Sequence, residues 1–94
     1  NFNTLFVTQY SYFTQISGMF NNCSKITTTI NIMNANITYY TGMFSGAATD
    51  PNAKITVNYI ASLDTIADGQ TQSLIDKMIA TKSSNSNVVK GSQI

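Results

Sequence analysis

The 94-residue chain contains no His, Arg, Glu or Trp, and only one Cys and one Pro. Each absence removes a class of function. Without His or Glu the usual general bases are missing, and the single thiol, Cys23, has no obvious neighbour to activate it. One Cys and no His give neither an intrachain disulfide nor a soft-metal ligand set. Cys23 reads instead as a small buried hydrophobe. Gly42 and Gly46 stand in a turn without the Lys-Thr pair that a phosphate-binding loop requires. Lys25, Lys54, Lys77, Lys82 and Lys90 are dispersed, so the chain offers no basic patch and nucleic acid is not an expected partner. No apolar run approaches the roughly eighteen residues of a spanning helix. Membrane contact is not favoured either, because no Lys or Arg precedes Lys25. The chain reads as non-enzymatic, with no cofactor.

What remains is uncharged and aromatic. Charged residues make up 10% of the chain, net charge is +1, and Asn, Thr, Ser and Gln supply most of the polarity. Low charge keeps repulsion between copies small and favours association. Such surfaces point to an extracellular protein or to part of a surface or viral assembly. Asn22-Cys-Ser24 and Asn36-Ile-Thr38 fit the glycosylation pattern, but with eleven Asn in the chain chance matches are expected.

From Phe2 to Phe44 an apolar seam recurs with spacing three and four: Phe2, Leu5, Gln9, Tyr12, Ile16, Met19, Cys23, Ile26, Ile30, Met33, Ile37, Tyr40 and Phe44. Twelve of these thirteen positions are apolar, where the 43% background gives about five or six, and the heptad predicts one long amphipathic helix. Phe6, Phe13 and Phe20 form a second row beside it. Against this, Thr27, Thr28, Thr29, Asn31, Asn34 and Asn36 are poor helix formers, and Ile30 and Ile32 alternate as in a strand. Strand over 26–40 is the competing reading.

Gly42 and Gly46 can end a helix, and Asp50-Pro51 supplies an N-cap followed by proline at the first helical position. A second helix is predicted from Pro51 to Lys82, with Tyr59, Ile60, Leu63, Ile66, Ala67, Leu74, Ile75, Met78 and Ile79 on one face. Gly69-Gln-Thr-Gln72 interrupts it, and alternation of Ile55, Val57 and Tyr59 leaves room for a short strand near 55. Asp64 and Asp68 fall on its outer side as a solvated face. The fold class expected is all-α, a two-helix antiparallel hairpin over residues 1–82 completed by packing against other chains, with 83–94 as a polar, mobile tail. Within that tail Val88, Val89 and Ile94 are the residues able to dock. No internal repeat other than the heptad is read.

Asp50-Pro51 at the turn resembles the type III secretion needle and rod subunits. Tyr40-Thr41-Gly42 is similar to the turn of the Trp-x-Gly class of type VII secretion substrates, with Tyr for Trp and without that class's export signal. Each likeness spans two or three residues plus a length, and neither assigns a family. Both imply small assembling or secreted hairpins.

The expected function is a structural subunit that self-assembles into a filament, tube or shell. The alternatives are a small secreted partner in a helical heterodimer and, third, a membrane-active amphipathic helix. A helix over 2–44 is about 65 Å long and one over 51–82 about 48 Å, so the first end is left uncovered. The expected contact with other copies, or with a helical protein partner, is therefore residues 1–14, with Phe2, Leu5, Phe6, Tyr10, Tyr12, Phe13 and the flanking Phe20 as the assembly interface.

Overall fold

The computed structural model describes residues 17–94. Thr27–Ile32 forms β1, Lys54–Tyr59 forms β2 and Val88–Gln93 forms β3, in the spatial order β1-β2-β3 with both pairings parallel. Strands adjacent in sequence are thus adjacent in space. The chain completes a circuit between one strand and the next, so the described residues form a short stack of coils, a solenoid with one strand per coil.

The strands form because the Thr27–Thr29 run and the alternating Ile, Val and Tyr positions suit a pleated, half-buried surface. Ile30, Ile32, Ile55 and Val57 point inward and are fully buried, and Tyr59 nearly so. Thr27 pairs with Lys54 and Ile32 with Tyr59, which places Ile30 beside Val57 on the core side and Asn31 beside Asn58 on the outside.

The return side of the first two coils is also in register. Gly18, Phe20 and Asn22 donate their amides to the carbonyls of Thr41, Met43 and Ser45 at 3.0, 2.9 and 2.8 Å, with one constant sequence separation. That geometry exposes a repeat. Gly18-Met19-Phe20 and Gly42-Met43-Phe44 occupy the same place in successive coils, with left-handed φ of 66° and 65° at the two glycines. The Phe20 and Phe44 rings stack at 5.6 Å with 11° between planes, in the offset range that favours aromatic pairs. Four residues on, Asn22 (φ 61°) and Gly46 (φ 71°) again correspond. The rest of the core is Ile37, Met43, Ala47, Ala48, Ala53, Leu63, Ile75, Met78 and Val88.

The helical hairpin and its coiled-coil seam are therefore corrected. Left-handed backbone at Gly18, Asn22, Gly42, Gly46 and Ala48 cannot lie within a right-handed helix, and over the described part of 2–44 the chain runs through turns and β1. The second helix shrinks to α1, Leu74–Ile79, and a 3₁₀ turn at Ala61–Asp64. Ser73 caps α1 by accepting the Asp76 amide at 3.3 Å. Asp50-Pro51 opens a turn, not a helix: the Asp50 carboxylate accepts the Asn52 amide at 2.9 Å and its carbonyl accepts that of Ala53, delivering the chain into β2. Residues 88–93 of the segment read as a tail form β3, with Val88 buried. The two secretion-subunit likenesses lose the hairpin on which they rested.

Candidate functional site

Two features distinguish the stack: the outer face of its sheet and the end formed by β3. On the outer face the pleat lines up Thr27 with Lys54, Thr29 with Thr56 and Val89, and Asn31 with Asn58. Asn58 donates from Nδ2 to Asn31 Oδ1 at 3.1 Å and accepts the Ser92 amide on its own Oδ1 at 2.8 Å, so this row is tied across all three strands. Gly91 sits against Asn58, and a Cβ there would collide with Asn58 Oδ1 and come within 2.9 Å of Thr56 Cγ2. Apart from Val89, these residues form a small array of hydroxyl and amide groups with one charge, Lys54.

The β3 end is built differently. The row of Ile30 and Val57, both fully buried, continues at Lys90 rather than at a third apolar residue. Lys90 Nζ reaches Asp64 at 2.8 Å and Asp76 at 3.1 Å, and lies 5.3 Å from the Tyr59 ring centroid. Ser73 donates to the same Asp64 oxygen at 3.1 Å while capping α1. One ammonium thus ties the 3₁₀ turn, α1 and β3 together. The register between β2 and β3 slips between Val57 and Tyr59, so Tyr59 faces Gln93.

The hydrogen bond from Lys90 holds Asp64 below its ordinary value of 3.8, and Asp64 in turn holds Lys90 above 10.5. Both groups stay charged across neutral pH. A general acid or base working near neutrality needs shifts in the opposite sense. These three side chains are a structural tie. Among the described residues no His, Cys, Asp or Glu group could hold a metal ion, and no helix is long and apolar enough to cross a membrane.

Phe2, Leu5, Phe6, Tyr10, Tyr12 and Phe13 lie outside the described residues. Phe20 is 1% exposed and belongs to the interior stack with Phe44. Cys23 is a free, half-buried thiol packed on the core edge. Asp64 does not pair with Asp68 but with Lys90, twenty-six residues on. Spacing along the sequence carries no sign of that tie. The doubled Gly-Met-Phe does signal the coil stack.

Comparison with protein-family models, curated proteins and solved structures gives no match.

Proposed function

We propose that the chain is a structural part, a short stack of coils that associates with further copies of itself through the apolar residues at its start. The observation that supports this best is a contrast between the third described coil and the sequence of the first residues. At β3 the inward row turns polar at Lys90 and the register slips, whereas Phe2, Leu5, Phe6, Tyr10, Tyr12 and Phe13 concentrate apolar groups in the first residues of the sequence. The coils cohere through an aromatic stack and an amide row, features suited to a structural part.

The test is light scattering of the full chain over a hundredfold range of concentration, beside Phe2→Ser/Phe6→Ser. The parent's mass is expected to rise to many copies and the double variant to stay a single folded chain. A parent that remains monomeric at every concentration, or a variant that assembles equally well, overturns the reading.

A further inference from the structure

The edge of β3 carries a second, separate inference. Ile55 donates to the Asn87 carbonyl at 2.9 Å, which fixes the alternation of the parallel ladder: Asn87 and Val89 turn their backbone groups toward β2, and Val88 and Lys90 turn theirs away. Among the described residues no strand lies beyond β3. The Val88 carbonyl has only a long contact, 3.5 Å, from Lys82 Nζ. An edge of this kind is a template for a further strand.

Three features oppose that addition. Lys90 stands on the core side of the edge strand, where an added strand would bury its ammonium. The Asp64 and Asp76 carboxylates stand beside it, with side chains 31% and 38% exposed, so they would lose water as well. The slipped register twists the strand's far half out of line. We propose that Lys90 keeps the β3 edge from pairing with the β3 strand of a second copy, which would run antiparallel to it about a two-fold axis. A strand that pairs with itself needs no other partner, and a two-fold arrangement makes each edge the other's cover. It also brings the Lys90 side chains of the two copies near one another on the same face, where like charges repel.

The test uses the full chain, both with the parent start and with Phe2→Ser/Phe6→Ser, so that association through the first residues is separated from association through β3. Lys90→Met removes the charge, and Lys90→Met with Asp64→Asn and Asp76→Asn removes the whole tie without stranding two carboxylates. Sedimentation should show the triple variant dimerising at least tenfold more tightly than its background, with the amides of Val88 and residue 90 newly protected from exchange. Lys90→Arg should behave as the parent does. A folded triple variant with unchanged mass and unchanged exchange at these two amides overturns the proposal. The parent alone also decides: its Val88 and Lys90 amides should exchange freely at every concentration, and protection that grows with concentration would show an edge that is already open.

Discussion

The second coil and the third each lay a parallel strand beside the one before, yet they hold together by different means. The second coil repeats the first, with Phe44 on Phe20, Gly42 matching Gly18 and Val57 beside Ile30. In the third coil α1 takes over the return side. The Thr81 and Ser83 hydroxyls accept the Phe44 and Gly46 amides at 3.1 and 2.8 Å, and Lys90 occupies the inward row. Apolar matching lets the second coil cover the first, while in the third a polar group stands in the inward row.

The largest effect should come from breaking the match itself. Phe44→Ala removes a fully buried ring and its stacking partner's contact, and should cost about 3–5 kcal/mol, enough to abolish cooperative unfolding in a chain of this size. Chemical denaturation followed by circular dichroism checks this, and a loss near 1 kcal/mol would mean that the aromatic stack is not central.

The glycines sharpen the comparison. Gly46→Ala and Gly42→Ala both force a side chain into left-handed backbone, about 1–2 kcal/mol each. At Gly42 the added methyl meets open space, but at Gly46 it lands 2.6 Å from Asn22 Oδ1 of the preceding coil. Gly46→Ala should therefore be clearly the more damaging of the two in the same denaturation assay. Equal losses would contradict the seating of Asn22 against Gly46.

The charged tie of the third coil should be the weaker bond, and acid and base should reveal it. Asp64 has a lowered folded value, so its contribution is full above pH 3.8 and fades as pH falls through the lower folded value. Lys90 has a raised folded value, so its contribution is full below pH 10.5 and fades as pH rises through the higher one. Between these limits the melting temperature should not respond to this tie. Lys90→Met should flatten the fall at both extremes, and an unchanged pH profile would show that the tie adds nothing. The smallest effect concerns assembly: association driven by apolar residues at the chain start should barely change between low and high salt. Steep salt dependence in light scattering would move the contact to charged groups.

Much of β1 and β2 was legible, since Ile30 and Ile32, and then Ile55, Val57 and Tyr59, alternate as strands do. The apolar spacing nonetheless reads as helix, because strands and tight turns in a coil bring a residue inward every two to four positions, an average close to a heptad. Met33, a seam residue, is 45% exposed, which no continuous seam would allow. The repeated Gly-Met-Phe is a faint signal, for only three residues recur identically before Asp50-Pro51 shifts the spacing. In β3 the alternation fails where Lys90 takes the inward place, so the strand resembles a polar tail. Asp64, Asp76 and Lys90 are too far apart in sequence for spacing to unite them.

Residue-resolved amide exchange tests the stack of coils most directly. β2 is paired on both sides, with Lys54 donating to Ile26, Ile55 to Asn87 and Ile60 to Ile32. All its amides should be protected. In β3 protection should alternate, slow at Val89 and Gly91 and fast at Val88 and Lys90. Uniform protection running through 26–40 and 54–80, as continuous helices would give, would contradict the stack.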